Sequence, residues 1–350
     1  MPRTPLRAAL AACGGIAGLT LDAAARSPDF EVVAIQDPSP GAVRRIGERY
    51  GIQRRHREFE ELLTEDVDFV VINGPNDVHL EQVRAAAAAG KHCLVQKPMA
   101  PNLAEATAMV LAAKEGEVRL GVTMFELGKP LHHELKEMIA SGWLGDPVMI
   151  QAVAAHDLYL DTPPPEGNWR RDPECVGGGA FIQLALHQVN LACFLLDREV
   201  ETVFAAGARG HTVFEDETAL TTLRFAGGVL GHFAASYAVD LWGFGLLGTR
   251  GRIQLSGEHV VMKGRDVFEG GILRYRTPGT EAAVPMSELA AAIASREDEL
   301  EIHGAFARWI AGRGEFPCTG EQGLRDMRVV DAVYRSRADQ QPVPISAART

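Results

Sequence analysis

The first third of the chain alternates short apolar runs with longer segments of helical periodicity. Residues Leu6 to Ala12 form an apolar run that ends in Cys13-Gly14-Gly15, and Ile16 to Ala25 follows with the Ala- and Leu-rich pattern of a helix. Glu31 to Ile35 is a second apolar run, which is closed by Asp37-Pro38. A strand, a glycine turn, a helix and a second strand in this order predict a βαβ unit.

The same alternation continues to about residue 124. Further elements are predicted in the order helix Gly41 to Tyr50, strand Phe69 to Ile72, helix His79 to Ala89, strand Cys93 to Gln96, helix Leu103 to Glu115 and a strand through Leu120, Val122 and Met124. Asn102 and Glu105 are spaced as the capping box of the helix that begins at Leu103. Continuous apolar strands separated by helices predict a doubly wound α/β fold, with a parallel sheet covered on both faces.

Beyond residue 124, the predicted strands follow one another through glycine turns instead of helices. Leu220 to Phe225 and Val229 to Phe233 flank Gly227-Gly228, which predicts a hairpin. A second hairpin is predicted for Leu246-Leu247 with Ile253 to Leu255, and helices for Leu131 to Ala140, Ala180 to Leu196 and Met327 to Arg337. We therefore expect a dinucleotide-binding type of domain over residues 1–123 and an α+β domain over 124–350. Whether the C-terminal helix packs back on the first domain is left open.

Composition and charge exclude several classes of protein. Among the 350 residues, 46 Asp and Glu outnumber 35 Lys and Arg, and the formal net charge of −11 disfavours nucleic acid and anionic membranes as partners. No apolar run reaches the roughly 20 residues that span a bilayer. The segment before Cys13 resembles a lipoprotein cleavage box, but its apolar run of about five residues is too short for a signal sequence. Five scattered cysteines without a Cys-x-x-Cys pair favour the cytoplasm.

The first glycine turn is a candidate dinucleotide site. Gly14 stands at the second glycine of the dinucleotide fingerprint, whereas Ala12 and Ala17 replace the first and third. The backbone of Gly14, Gly15 and Ile16 is expected to approach a pyrophosphate at the N-terminus of the following helix. Any strand-to-helix turn can contain glycine, so this motif is weak when taken alone.

Asp37 strengthens the prediction, because it lies 23 residues beyond Gly14 at the end of the second strand. A carboxylate at this place accepts hydrogen bonds from both adenosine ribose hydroxyls and repels a 2′-phosphate, which favours NAD over NADP. The alternative is that Asp37 only begins a turn before Pro38. Arg44 and Arg45 keep NADP open as the less favoured cofactor.

Two further loops leave the ends of predicted parallel strands, where open α/β sheets bind ligands. The first loop contains Asn73, Pro75 and Asn76 and is followed by His79. The second contains Gln96 and Lys97 and ends at Pro98. We expect the six residues before Pro98 to contribute to the cofactor site. A lysine there can act as an acid or base, or donate to a substrate hydroxyl. The alternative is that Lys97 is a solvated surface residue without a chemical role, although Pro98 restricts its backbone.

A third group lies on the predicted helix that follows three glycines. Gln183, His187 and Asn190 have the spacing i, i+4 and i+7 and share one helical face. His187 is the natural general acid or base of the three, since imidazole titrates near neutral pH. From the residues alone, a hydrogen-bonded packing role for this histidine stays open.

The connection from His156 to Val176 is long enough to be a binding loop. It contains Tyr159, a reserve acid or base, and Trp169 with Arg170, which can clamp an anionic group or pair with Asp172. The other histidines show no metal-ligand spacing with acids or cysteines, so no metal site is predicted.

As a set, these motifs resemble the Gfo/Idh/MocA oxidoreductases. The resemblance rests on Gly14-Gly15, Asp37, Pro75-Asn76 with His79, Gly90-Lys91-His92, Lys97-Pro98, Trp169-Arg170, Gly177-Gly178-Gly179, His187, Glu215-Asp216 and Gly248-Thr249-Arg250-Gly251. It implies an N-terminal Rossmann domain that binds a nicotinamide cofactor and a C-terminal α+β domain with a large, mostly antiparallel sheet. It also implies a sugar-like or polyol substrate between the two, and a homo-oligomer, dimer or tetramer, formed through the open face of the second sheet.

The resemblance implies Lys97, Gln183 and His187 as the catalytic residues, with Tyr159, Trp169 and Arg170 beside the substrate. Three amides stand where family members usually have carboxylates, namely Gln96 for Glu, Gln183 for Asp and Asn190 for Asp. An amide can orient an imidazole but cannot stabilise an imidazolium by charge.

Three functions follow from this pattern. The first is an NAD(P)-dependent dehydrogenase or reductase acting on CH–OH groups of a sugar, cyclitol or related compound. The second is an NAD-dependent glycosidase that oxidises a sugar carbon transiently. The third, which the amides favour, is a catalytically weakened protein that binds cofactor or sugar.

Overall fold

The computed structural model describes residues 5–256, 259–262, 265–266, 272–275 and 301–345. These residues fall into two compact units. The described residues of the first unit lie within Met1–Lys129 and Arg296–Met327, and those of the second lie within Pro130–Ser295 and Arg328–Thr350.

The first unit contains a six-stranded sheet in which every neighbouring pair of strands is parallel. Its spatial order is β3-β2-β1-β4-β5-β6, so the chain reverses direction across the sheet between β1 and β4. The polar loops that leave these two strands therefore border a crevice, which is where ligands bind in open α/β sheets. The strands are β1 (Leu6–Ala11), β2 (Phe30–Gln36), β3 (Arg54–His56), β4 (Phe69–Ile72), β5 (His92–Gln96) and β6 (Leu120–Thr123).

Helices cover this sheet, and their N-termini differ in how they are capped. Ser39 accepts a hydrogen bond from Ala42 N–H at the start of α2, and Asn102 accepts one from Glu105 N–H at the start of α5. The helices are α1 (Ala17–Arg26), α2 (Pro40–Tyr50), α3 (Phe59–Leu63), α4 (His79–Ala88) and α5 (Leu103–Glu115), with short 3-10 turns at Asn76–Val78 and Phe125–Gly128.

A segment near the C-terminus completes the first unit. Phe306 is fully buried, and its ring centroid lies 5.6 Å from that of Phe69 and 5.2 Å from that of Phe316. Val122 N–H donates to Cys318 O over 2.8 Å, so the segment also meets the edge strand β6. The division therefore differs from the predicted boundary at residue 123, because long-range aromatic packing returns this part of the chain to the first unit. Its helices are α10 (Ile302–Ile310) and the beginning of α11 (Gly320–Asp339), which passes to the second unit after Met327.

The second unit is built on a mostly antiparallel sheet with the order β14-β13-β15-β12-β11-β7-β10-β9-β8-β16. Both predicted hairpins are present, since β9 pairs with β10 and β11 with β12 in antiparallel register. The strands are β7 (Pro147–Ala155), β8 (Val200–Ala208), β9 (Thr218–Phe225), β10 (Leu230–Ser236), β11 (Leu241–Gly248), β12 (Arg252–Ser256), β13 (His259–Met262), β14 (Arg265–Asp266), β15 (Ile272–Tyr275) and β16 (Val343–Pro344).

One face of this sheet is covered and the other is open. Along β9, Ala219, Thr221, Leu223 and Phe225 are buried and alternate with exposed or half-buried residues. The remaining helices are α6 (Pro130–Ala140), α7 (Leu158–Asp161), α8 (Pro173–Val176) and α9 (Leu186–Leu196), with a 3-10 turn at Trp169–Arg171 and a π-helical turn at Phe181–Ala185.

Among the described residues, Pro173–Leu196 is one helical segment that is long and apolar enough to cross a bilayer. The sequence analysis predicts no such run. In the most apolar 18-residue window of this segment, 78% of the residues are buried inside the structure. That burial is typical of a core helix, and composition alone does not distinguish the two environments.

Candidate active site

The turn after β1 leaves open space above its backbone. Ala12 has a left-handed φ of 72°, a conformation that costs an L-residue about 1–2 kcal/mol. A Cβ added at Gly14 or at Gly15 would meet nothing within 4 Å. The glycines are therefore not required by the protein's own packing, and a ligand can approach their backbone.

The N-terminus of α1 lacks the caps found on other helices. Its N-cap residue, Ile16, makes no side-chain hydrogen bond, and the first helical turn contains no acidic residue. The first N–H groups of a helix need partners from outside the helix. Here the helix dipole and these N–H groups can address a bound anion.

Asp37 is held beside this turn by two backbone groups. Its Oδ2 accepts a hydrogen bond from Cys13 N–H, and its Oδ1 accepts one from Ser39 N–H, both over 2.8 Å. Burial, and then the Asp37 charge, raise the pKa of the Cys13 thiol to about 12. Cys13 is therefore a neutral, unreactive packing residue, whereas the orientation of the Asp37 carboxylate is fixed toward the glycine turn.

The loop after β4 begins at the reversal of the sheet. Asn73 N–H donates to Ala11 O over 3.0 Å, which ties residue 73 to the end of β1. Pro75 precedes a 3-10 turn that begins at the buried Asn76. Asn73 therefore lies beside the strand end from which the glycine turn leaves.

His79 is fully buried and contacts two loops through its ring nitrogens. Nδ1 lies 3.1 Å from Met99 O and Nε2 lies 3.0 Å from Gly74 O. Burial lowers the pKa of His79, so the neutral ring has one N–H to share between the two carbonyls. This geometry assigns His79 to holding the loops after β4 and β5, and its effect on a cofactor would pass through them.

Lys97 follows the end of β5, next to the loop that contains Asn73. Gln96 is buried, and its Oε1 accepts a hydrogen bond from Lys97 N–H over 2.8 Å. Gln96 Nε2 is buried and donates to none of the described residues. Lys97 itself is half-buried, which differs from the solvated surface lysine considered above.

In the second unit, Gln183 and His187 belong to a helix that begins irregularly. The regular helix predicted from Ala180 starts instead at Leu186, because Phe181–Ala185 forms a π-helical turn. Gln183 therefore lies in the π-helical turn and His187 in the regular helix, so the shared helical face predicted from their spacing stays a prediction. Such π-helical turns occur frequently at functional sites. Both side chains are half-buried, whereas Asn190 is buried.

The three glycines before this helix allow a close approach of Asp216 and Tyr334. A Cβ at Gly178 would lie 2.0 Å from Tyr334 Oη, and one at Gly179 would lie 2.2 Å from Asp216 O. Gly179 N–H donates to Asp216 Oδ2 over 3.1 Å, and Tyr334 Oη donates to the same oxygen over 2.8 Å. Arg337 pairs with the other oxygen of this buried carboxylate. The cluster holds the start of the helix that contains Gln183.

An aromatic cluster forms where two parallel strands end. β7 and β10 pair in parallel, and His156 and Tyr237 follow their last residues. The ring of Tyr159 lies 5.0 Å from each of these two rings, and Phe214 lies 4.8 Å from Tyr237. Burial lowers the pKa of His156 and, with Tyr159 and Asp216 nearby, raises that of Tyr237 well above its usual value. Both groups are neutral near pH 7.

Tyr159 thus packs within an aromatic cluster, while Trp169 and Arg170 pair with each other. The Arg170 guanidinium stacks on the Trp169 ring at 4.5 Å. The sequence analysis missed His156, Phe214 and Tyr237. The sequence analysis did not predict β7. Only the parallel pairing of β7 with β10 places His156 beside Tyr237, and that pairing is not visible in a local sequence pattern.

The predicted residues therefore form two groups, one in each unit. Ala12, Gly14, Gly15, Ile16, Asp37, Asn73 and Lys97 lie at the carboxyl ends of the first sheet. Gln183, His187 and the aromatic cluster belong to the second unit.

Comparisons with known proteins agree with both parts of this description. The model of an oxidoreductase family with an NAD-binding Rossmann fold matches residues 6–124, and the model of a GFO/IDH/MocA C-terminal domain matches residues 132–254. The chain is 30% identical to 1,5-anhydro-D-fructose reductase of Ensifer adhaerens over 332 residues, which is 92% of this chain and 93% of that protein.

Two more proteins illustrate the range of relatives. Myo-inositol 2-dehydrogenase of Thermotoga maritima is 30% identical over 213 residues, covering 58% of this chain and 60% of the relative. The crystal structure of the WlbA dehydrogenase of Bordetella pertussis, in complex with NADH and UDP-GlcNAcA, shares the fold with a TM-score of 0.86. It is 23% identical and covers 99% of each chain.

A Rossmann unit joined to a large, mostly antiparallel sheet defines a two-part oxidoreductase. The chain belongs to the Gfo/Idh/MocA family of NAD(P)-dependent oxidoreductases. The resemblance, the α/β fold class and the enzyme class that the motifs predicted are confirmed.

Next to Asp216, the buried Glu217 anchors the preceding loop. It accepts hydrogen bonds from His211 N–H over 2.7 Å and from Thr212 N–H, and its Oε1 lies 3.0 Å from His211 Nδ1. Burial alone would raise the pKa of Glu217, but these hydrogen bonds prevail and lower it to about 2, against a usual 4.5.

Because the pKa of Glu217 is lower in the folded protein, its ionisation stabilises the fold above about pH 4.5. We predict that this contribution is lost as the pH falls from 4.5 toward 2. Glu217→Gln should lower the free energy of unfolding at neutral pH by about 1–3 kcal/mol and flatten its acid dependence. Urea unfolding at a series of pH values measures both effects. Glu215→Gln, at an exposed neighbour, is the control, and an unchanged acid dependence in Glu217→Gln would contradict the account.

Proposed function

We propose that the protein transfers a hydride between NAD and a hydroxyl-bearing carbon of a sugar, cyclitol or related polyhydroxy compound. The observation that carries the proposal is the fixed Asp37 carboxylate beside an open glycine turn. The names of two relatives, a reductase of 1,5-anhydro-D-fructose and a dehydrogenase of myo-inositol, support the substrate class.

The residues after β1 and β2 fit a dinucleotide. Gly14 and Gly15 leave room for a pyrophosphate, and the uncapped N-terminus of α1 supplies N–H donors for it. Asp37 would accept from the adenosine ribose hydroxyls, since each of its oxygens keeps a lone pair beyond the backbone bond it already accepts. When bound, the nicotinamide ring supplies the hydride acceptor or donor.

The charge of Asp37 favours NAD over NADP. A 2′-phosphate on the ribose would meet this carboxylate, whose orientation the Cys13 and Ser39 N–H groups hold. Arg44 and Arg45 are exposed, and Arg45 Nη2 reaches Cys13 O at 3.4 Å. Because these arginines can contact a phosphate, the preference has to be measured as the ratio of the Kd values for NAD and NADP.

Lys97 and His187 would carry the proton chemistry. Lys97 Nζ donates to the oxygen of the reacting hydroxyl, and the His187 imidazole accepts the proton as the carbon gives up its hydride. Gln183 orients His187 or the substrate through its amide, in place of a carboxylate. The reverse direction uses the same groups with His187 as the acid.

The aromatic cluster supports a sugar-like substrate. The half-buried Tyr159 offers a flat apolar ring for the C–H face of such a compound and a hydroxyl group for its oxygens, while the buried Tyr237 packs against it. The half-buried Gln183 adds a neutral amide, which bonds hydroxyls without demanding charge.

A second function, binding without turnover, is favoured by one observation. Gln183 stands in place of the family's usual aspartate, so no carboxylate at that position stabilises an imidazolium of His187. The two functions differ in whether hydride transfer occurs once cofactor and substrate are bound.

The choice of cofactor predicts the effect of Asp37→Ser. Without the carboxylate, the Kd for NAD should rise about tenfold, while the Kd for NADP should stay constant or fall. Isothermal titration calorimetry with each cofactor measures the ratio. The matched control is Asp22→Asn, which removes a carboxylate from the exposed side of α1 and leaves Asp37 in place. An unchanged ratio in Asp37→Ser would contradict the assignment of Asp37 to the ribose.

The catalytic assignment predicts the effects of Lys97→Ala and His187→Ala. Each should lower kcat/KM by about 10²- to 10⁴-fold in NADH formation over a panel of sugars and cyclitols. His187→Ala should leave the Kd for NAD unchanged, and Lys114→Ala, at an exposed lysine of α5, should behave as wild type.

Other outcomes of that panel would identify the rival functions. Cleavage of a glycosidic bond without net cofactor turnover would identify a glycosidase. Binding of cofactor and sugar by the wild type without any hydride transfer would identify a binding protein.

We propose further that the protein is a cytoplasmic homo-oligomer. None of the five cysteines forms a disulfide, which supports a reducing compartment. The open face of the second sheet exposes large apolar side chains on neighbouring strands, namely Met149, Phe204, Leu220 and Leu230. Exposed apolar side chains on one sheet face favour a protein interface, and a second copy of the chain is the partner that the family resemblance implies.

The oligomer proposal predicts that Leu220→Glu combined with Leu230→Glu yields monomers. Charges on this face would be unpaired in an interface, so the molar mass measured by size-exclusion chromatography with light scattering should fall. Leu111→Glu, at an exposed leucine of α5, is the control. A wild-type monomer, or an unchanged mass in the double variant, would contradict the proposal.

A further inference from the structure

Four side chains of the first unit form a continuous chain of polar contacts between α10 and the end of β4. Glu301 Oε1 lies 2.6 Å from His303 Nδ1. His303 Nε2 lies 3.1 Å from Oγ1 of Thr20 in α1, and Asn73 Nδ2 donates to the same oxygen over 3.2 Å. We call these four residues the relay. It links the returning C-terminal segment to the helix and the loop that border the dinucleotide site.

The middle of the relay is shielded from water. Thr20 and His303 are 0% and 1% exposed. The His303 ring also packs on Phe30, at 6.2 Å between centroids, and on Phe125, at 5.9 Å. Because an unpartnered buried polar group is costly, the contacts within the relay constrain the orientation of each member.

The carboxylate at one end orients the His303 ring. Burial alone would raise the pKa of Glu301, but the His303 hydrogen bond and the Gly304 N–H prevail and lower it, so Glu301 is ionised and accepts. His303 therefore donates its Nδ1–H to Glu301. Nε2 of the same ring holds Thr20 Oγ1 in place by a hydrogen bond, and this oxygen accepts from Asn73 Nδ2.

The other end of the relay is the carboxamide of Asn73. With Nδ2 turned toward Thr20, the carbonyl Oδ1 is the remaining hydrogen-bonding atom of this side chain. It is buried and accepts no hydrogen bond from the part of the chain that the structure describes. The backbone N–H of residue 73 donates to Ala11 O, at the strand end from which the Ala12–Gly15 turn leaves. Residue 73 thus lies at the carboxyl edge of the sheet, where the dinucleotide site is proposed.

We propose that Thr20, His303 and Glu301 are positioning residues of the dinucleotide site. They hold the Asn73 amide with Nδ2 toward Thr20, so that Oδ1 is left to accept a hydrogen bond from a hydroxyl or amide N–H of the bound dinucleotide. This inference rests on the proposed function, since it needs a dinucleotide at the turn after β1. It gives α10 a part in cofactor binding although α10 follows that turn by nearly 290 residues.

Thr20→Val tests the relay, because valine has nearly the shape of threonine and lacks the hydroxyl. Without the Thr20 hydroxyl, the Asn73 amide is no longer held in one orientation, and the Kd for NAD should rise about fivefold to tenfold. Isothermal titration calorimetry with NAD alone measures this and needs no substrate. Thr107→Val is the matched control, since Thr107 is an exposed threonine whose hydroxyl donates within α5.

A double-mutant cycle separates positioning from loss of stability. Asn73→Ala should raise the Kd for NAD at least as much as Thr20→Val, and the double variant should bind no more weakly than Asn73→Ala alone. Additive losses, or Thr20→Val binding NAD as tightly as wild type, would overturn the relay and leave the proposed function intact. If the wild type binds no dinucleotide, both the proposed function and the role of the relay are wrong.

Discussion

Burial of the first sheet on both faces is the constraint on which the cofactor site depends. All four residues of β4 and nearly all of β1 and β5 are buried, so helices must cover each face and every crossing must return the chain to the same edge. Polar loops can leave the sheet only at its ends. The glycine turn, Asp37, Asn73 and Lys97 lie together at the carboxyl edge because each follows a strand of this sheet.

A different interaction positions the candidate residues of the second unit. Its sheet is covered on one face, and the helix with Gln183 and His187 starts at glycines that pack against Tyr334 and the buried Asp216, whose carboxylate pairs with the half-buried Arg337. A buried carboxylate is costly to leave without its cationic partner. Its effect here is geometric, since it fixes where the helix begins. The two halves of the proposed chemistry therefore depend on different interactions, apolar burial in one unit and a buried charge in the other.

Local signals made part of this predictable from the sequence. The bounds of β4 and α5 were predicted correctly, because a continuous apolar run marks the first and the Asn102 cap marks the second. Asp37 and Lys97 were selected as candidates because each stands at the end of such a run. The parallel pairing of β7 with β10 could not be found in this way, so Tyr237 was missed. The return of α10 and the contact of Thr20 with His303, 283 residues away, depend on long-range packing that no local pattern encodes.

The proposed function needs both a dinucleotide and a polyhydroxy substrate. The formal charge of −11 describes the whole chain, whereas the candidate residues are a lysine, histidines, amides and one oriented carboxylate. A crystal structure of the protein with bound NAD is the most direct test. The account predicts the pyrophosphate over Gly14 and Gly15 and the adenosine ribose hydroxyls on Asp37. A dinucleotide bound away from this turn, or bound there with its ribose turned away from Asp37, would contradict it.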